Sequence, residues 1–156
     1  LVGSEMCIRD RVRRDEDNRD TGNIAKIFID ELYAWQENTH FSELYKLPEI
    51  NMQTEEKLDQ VMLYDEKFVY MREKIFKLVC NQLLRFFSLD VIKKSLVDAG
   101  ILYPESSRTF TRKVNYYNLI GEYKRVRMFC IQRTEINRLG EMDFVDLCLD
   151  ERRRDL

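Results

Sequence analysis

The chain has 156 residues, 44% of them hydrophobic and 12% aromatic, enough for one compact domain with a real core or two very small ones. No run of about eighteen apolar residues occurs, because the most apolar stretch, IFKLVCNQLLRFF, is interrupted by Lys77, Asn81, Gln82 and Arg85, and this excludes a membrane-spanning helix. The net charge of -2 hides an asymmetry: Arg108 to Arg133 holds seven basic residues against one acid, Glu122, so this window carries +6 and the remainder -8. Such a chain does not coat polyanions at random, but its basic segment is suited to facing one.

Residues 1–11, LVGSEMCIRDR, follow no fold pattern. Read back into codons they resemble one reading frame of a transposase-type sequencing-library adapter, so they are expected to be a processing scar ahead of a gene cut at its left edge. Arg11 to Thr21 is nearly all charge of mixed sign, which predicts a flexible lead-in, and the fold is expected to form without residues 1–20. Asn23 reads as the N-cap of a helix through Glu37, with Ile24, Phe28, Leu32 and Trp35 on one stripe. A loop follows, in which Pro48 stops any longer helix.

QVMLYDEKFVYMR predicts two short strands about a turn at Tyr64 to Lys67. Arg72 to Phe87 returns to helical period, with Ile75, Leu78, Val79 and Leu83 on one side. Ser88 is placed to cap a second helix whose stripe is Leu89, Ile92, Leu96 and Ala99, and Gly100 closes it with Ile101 and Leu102 packing back. The two helices form a helix-turn-helix-like pair.

A long hairpin comes next. Arg112, Val114 and Tyr116 alternate with Thr111, Lys113 and Asn115, then Val126, Met128 and Cys130 with Arg125, Arg127 and Phe129, about a turn at Gly121. The last segment, EMDFVDLCLDERRRDL, reads as a short helix on Phe144, Leu147 and Cys148 or as a frayed tail.

Catalytic chemistry has little to stand on. His40, the single imidazole, sits in a polar loop, no phosphate-loop motif occurs, and Asp143 with Asp146 reads as a solvated face. Cys80, Cys130 and Cys148 form no C-x-x-C pair, so neither a disulfide framework nor a zinc site is expected, and a reducing cytoplasm is the expected setting. No cofactor, metal or catalytic residue is assigned.

The basic hairpin is the feature with a functional reading. Arg108, Arg112, Lys113, Lys124, Arg125 and Arg127, extended by Lys93 and Lys94 on the preceding helix, are the candidate phosphate contacts of a nucleic-acid surface, with DNA as the partner. Tyr116, Tyr117, Tyr123 and Phe129 are either bases' stacking partners or simply core. Equally, long basic side chains protect a hairpin from edge pairing.

The run YMREKIFKLVCNQ, FSLDVIKKSLVDAGILYPESSRTFTRKV and EYKRVRMFCI resembles the C-terminal end of the helicase-like ATPases of prophages and mobile elements, the superfamily II helicases and their inactivated derivatives. The similar features are the strand KFVYM, the pattern Leu96, Ala99, Gly100, Ile101 and Leu102, an Arg/Thr/Lys-rich first wing strand and KRVRMF as the second; IFIDELYAWQENTHF resembles the helix and aromatic linker leading into them. Helix, helix and then a basic hairpin is the order of a winged helix, and the resemblance agrees with it, so the expected fold is α+β: a winged-helix-like domain over residues 60–133, preceded by an N-terminal helix and linker over 23–59 and followed by a tail over 134–156. It also implies an upstream RecA-like ATPase core, although without a phosphate-loop motif no ATPase residue is carried over. The turn NYYNLIGEY is longer than the resemblance implies. The expected function is therefore that of an accessory nucleic-acid-binding domain of a truncated helicase or primase-like protein. A protein-interaction module docking on its own ATPase core or on a replication partner is the alternative.

Overall fold

The computed structural model describes residues 7–38, 44–50, 55–140 and 142–154. The elements are α1 (Cys7–Asn38), β1 (Leu44–Lys46), a 3-10 turn (Glu55–Gln60), β2 (Met62–Tyr64), β3 (Phe68–Met71), α2 (Glu73–Val79), a second 3-10 turn (Leu83–Arg85), α3 (Leu89–Asp98), β4 (Arg112–Tyr117), β5 (Tyr123–Gln132), α4 (Arg133–Leu139) and α5 (Phe144–Arg154). The fold is α+β around a five-stranded sheet of order β1-β2-β3-β5-β4, in which only β1 and β2 run parallel.

Two hydrophobic clusters use the two faces of this sheet. On one face Met62, Val69, Met71, Phe129 and Ile131 meet Phe28 and Leu32 of α1, Ile75 and Phe76 of α2, and Ile92 and Leu96 of α3. Phe129 stacks on Phe76 with ring centroids 4.2 Å apart. On the other face Leu63, Tyr70, Val114, Tyr116, Met128 and Cys130 are covered by Ile50, Leu58 and Val61. Strand alternation assigns the faces, because successive side chains of β5 point to opposite sides of the sheet.

Several elements follow their sequence signals closely. The Ser88 hydroxyl accepts from the Val91 N–H at 3.3 Å and caps α3. Gly100, at φ 77, ends that helix in the left-handed region, where a side chain is disfavoured, and Ile101 and Leu102 both donate back to the Leu96 carbonyl. The expected hairpin forms, with Val114 opposite Val126.

Others differ. Helix α1 begins at Cys7 rather than at Asn23, so the charged lead-in is helical; its first buried side chain among those described is Ile24. Residues 8–21 contain no Gly or Pro, and a helix nucleated on a packed segment propagates through such a stretch, since each further residue adds a bond without repeating the nucleation cost. The helix expected to reach Phe87 stops at Val79 and continues as a turn and a short 3-10 segment, and within α2 the buried face is Ile75, Phe76 and Val79, so Leu78 is exposed instead of on the buried stripe. The segments read as linker and tail join the main body: β1 extends the sheet, and Ile136, Phe144, Val145 and Cys148 enter the helix-side cluster. Among the described side chains of α5 the buried ones are Phe144, Val145 and Cys148, with Leu147 only partly covered.

Asp143 is likewise no solvated carboxylate. It accepts from the Asp146 N–H at 2.9 Å and the Asn137 amide at 2.7 Å, and Arg133 lies 3.5 Å away. The same Arg133 donates to the Asp65 carbonyl at 2.7 Å, so the end of β5, the turn before β3 and the start of α5 are tied at one point. Gly140 lies against the ring of Tyr33, where a Cβ would overlap it. Tyr33 donates to the Met142 carbonyl at 2.5 Å, and burial, then Asp143, pushes its phenol up to about 12.

Candidate nucleic-acid interface

The site is built on the free half of the β4–β5 hairpin. Three cross-strand pairs occupy one face: Lys113 with Arg127, Asn115 with Arg125, and Tyr117 with Tyr123. Alternation along β5 puts Tyr123, Arg125 and Arg127 on the side of Phe129 and Ile131, which pack on the helices. The outer face of the wing therefore lies on the same side of the sheet as α3.

Of the sequence-predicted residues, Lys113, Arg125 and Arg127 are brought together here, all exposed. Like charges directly opposite on neighbouring strands repel, and Lys113 and Arg127 are so placed. Arg127 is partly offset by Glu105 at 3.1 Å and donates to the Thr111 carbonyl at 3.3 Å. Arg125 donates to Asn115 Oδ1 at 3.1 Å, a neutral acceptor that orients the guanidinium and leaves its charge uncompensated. Among the described residues the Lys113 side chain has no ion-pair or hydrogen-bond partner.

Lys93 borders this face from α3. Its ammonium lies 5.3 Å from the Phe129 ring centroid and 5.6 Å from that of Phe110, so its stem covers the junction of helix and wing. Lys94 is exposed and lines a shallow hollow with Val97, Asp98 and Phe110. Arg108 is exposed on the loop before β4.

The other two candidates point elsewhere. Arg112 and Lys124 share the opposite face with Val114 and Tyr116. Arg112 donates to the Pro104 carbonyl at 3.0 Å and stacks over Tyr103 with its guanidinium carbon 4.6 Å from the ring centroid, which makes it a strut for the α3–β4 loop. Lys124 pairs with Glu122 at 3.2 Å. Arg112 also lines a cleft of about 400 Å³ with Asp65, Tyr70 and Cys130. Tyr70 donates to Asp65 at 2.5 Å, and burial together with this bond holds the phenol far above its ordinary value.

The aromatics divide as cleanly. Tyr116 and Phe129 are core, whereas Tyr117 and Tyr123 are exposed and lie 5.3 Å apart at the last pair of the hairpin. Beyond them the turn carries Leu119 and Ile120, which are 50% and 69% exposed. Sequence reading passed over these two; an apolar pair inside a turn, NLIGEY, was the signal that marked them.

Among the described residues no group of three or more His, Cys, Asp or Glu side chains is arranged to hold a metal ion, and no helix is long and apolar enough to cross a membrane. His40 lies outside the described residues. Burial pushes the thiols of Cys80, Cys130 and Cys148 up to about 12, so they are poor nucleophiles at neutral pH. No family model, curated protein or solved structure matches the chain.

Proposed function

We propose that the chain is a winged-helix-like nucleic-acid-binding module, the accessory end of a helicase-like ATPase of mobile elements, and that it meets DNA phosphates along the outer face of its wing. The observation that carries this reading is the grouping of Lys113, Arg125 and Arg127 on one exposed face, on the α3 side of the sheet, with Lys93 at its border. The order β3, α2, α3, β4, β5 with sheet order β3-β5-β4 supports the winged-helix part of the reading, since that fold carries a helix pair between its first strand and its wing. Cations grouped on a hairpin, two of them without an acidic partner and Arg127 only partly offset by Glu105, meet phosphates with little ordering cost, and they position a domain without reading sequence.

The test is fluorescence anisotropy of labelled duplex across a salt series. Three phosphate contacts give log K falling against log salt with a slope of about -2.7. Absence of binding at low salt defeats the reading. In that case the exposed Leu78, Leu84 and Phe86, the last 80% exposed between α2 and α3, favour a module that docks on a protein such as its own ATPase core.

A further inference from the structure

The tip of the wing is apolar where a surface loop is ordinarily polar, and it is rigid. Asn118 accepts two backbone N–H groups on its side-chain oxygen, from Ile120 at 3.2 Å and Glu122 at 2.9 Å. Its own N–H donates to the Glu122 carbonyl at 3.0 Å, and its carbonyl accepts from Gly121 at 2.9 Å. Gly121 takes φ 81, the conformation that closes the turn. The hairpin is also anchored along its outer edge, since Tyr117 donates to the Pro48 carbonyl at 2.7 Å and Ile50 to the Tyr117 carbonyl at 2.9 Å. Leu119 and Ile120 are thus held out at the apex by a turn closed on Asn118 by four hydrogen bonds, and neither belongs to a hydrophobic cluster.

Directly behind the apex stand two exposed tyrosines, and behind these Asn115, Arg125, Lys113 and Arg127 on the same face. A hollow of about 350 Å³, lined by Glu49, Ile50, Tyr117, Asn118, Leu119 and Gly121, opens beside the tip. The order from apex to base is apolar, aromatic, cationic. Aliphatic side chains presented this way insert between bases and unstack them, aromatic rings take up bases so released, and cations hold the backbone on either side. A purely phosphate-binding wing gains nothing from exposing Leu119 and Ile120 to water.

Resting on the phosphate-binding reading above, we propose that the wing tip is a wedge for the junction between paired and unpaired nucleic acid: Leu119 and Ile120 enter at the last base pair, Tyr117 and Tyr123 stack the freed bases, and Lys113, Arg125 and Arg127 hold the adjoining phosphates. The preferred ligand is a forked duplex, bound more tightly than either a blunt duplex or a single strand.

The experiment compares three labelled oligonucleotide probes, a blunt duplex, a single strand and a duplex with two unpaired arms, by anisotropy with the full chain. The wild type is expected to favour the fork about fivefold or more, since only the fork offers freed bases to stack on the two tyrosines beside an adjoining duplex. The Leu119→Ser/Ile120→Ser variant, and separately Tyr123→Ser, are expected to lose that preference while keeping the salt slope. These side chains are exposed, and an unchanged thermal midpoint checks the fold of each variant. A 2-aminopurine at the junction is expected to brighten with wild type and not with the double variant. Equal binding of fork and duplex by the wild type, a single strand bound as tightly as the fork, or a variant that retains the preference overturns the wedge and leaves phosphate binding standing. No binding to any probe at low salt overturns both.

Discussion

Strand β5 is one continuous ladder, yet Tyr123 to Arg127 and Met128 to Ile131 lead different lives. The second stretch is buried on both faces, between the helices and the cover formed by Ile50, Leu58 and Val61. The first keeps Val126 against the lower cluster but turns Tyr123, Arg125 and Arg127 to solvent. The partner changes along the strand, since Tyr123 to Met128 pair with β4 and Phe129 to Gln132 with β3, and helices lie above the sheet only along the second stretch. A hairpin held beneath by the second cluster and at Tyr117 by the backbone of Pro48 and Ile50 keeps its upper face as a stiff arm, and stiffness is what lets charges and apolar side chains stand there at fixed spacing without helices above them.

The sharpest way to break this comparison is to cut the grip. Phe129 is buried, stacks on Phe76 and supports the stem of Lys93. Phe129→Ala is expected to cost about 3–5 kcal/mol by urea denaturation, the range for deleting a large core aromatic. A loss under about 1 kcal/mol means that the arm is held by something else. Next in size is the knot at the end of β5: Asp143→Ala removes the partner of the Asn137 amide, the Asp146 N–H and Arg133, and is expected to cost about 1–2 kcal/mol, since two part-buried contacts and one exposed one are lost together.

Alkaline pH probes the same half of the strand. The thiol of Cys130, like those of Cys80 and Cys148, has an ordinary value of 9.0 and is raised to about 12 in the folded chain by burial. Between those values the unfolded chain has lost protons that the folded chain keeps, so the contribution of these thiols to stability is constant well below pH 9 and falls as pH rises from about 9 toward about 12. The urea midpoint measured from neutral to alkaline pH is expected to show this decline. Rapid alkylation of Cys130 in the native chain at neutral pH contradicts it.

The buried half was legible in the sequence and the free half only partly, for physical reasons. Alternation of Val114, Tyr116, Val126 and Met128 with charged residues fixes which face is covered, and Ser88 and Gly100 mark the ends of α3 by local chemistry that needs no partner. The parallel pairing of β1 with β2 involves Leu44 to Lys46, too short a run to show a period, and it depends on a non-local partner. Helix α4 buries only Ile136 among its residues and so reads as a polar tail. Arg112 shows how charge misleads: its parity with Val114 was visible, but the Pro104 carbonyl and the Tyr103 ring that fix it come from a loop whose path no pattern encodes.

Arg112 therefore supplies the finest test, paired with Arg125 and Arg127. Both changes remove positive charge from one hairpin, and composition alone treats them alike. Arg112→Ala deletes a hydrogen bond to the Pro104 carbonyl and a guanidinium stacked on Tyr103, and is expected to cost about 1 kcal/mol of stability. It is expected to leave the salt dependence of DNA binding nearly unchanged, because its face is turned from the proposed contact surface. Arg125→Ala/Arg127→Ala removes exposed side chains whose bonds are to Asn115, Thr111 and Glu105, and half-exposed pairs of that kind contribute about 0–1 kcal/mol. Relief of the repulsion between Arg127 and Lys113 offsets part of this, so the stability change is expected to stay within about 0.5 kcal/mol. The slope of log K against log salt is expected to flatten by up to about 1.8, two phosphate contacts at about 0.9 each. Urea denaturation and anisotropy on the two variants decide the matter together: if Arg112→Ala flattens the slope as much as the double change does, the two faces of the wing are not distinct and the binding surface wraps around the arm instead of lying on the side of α3.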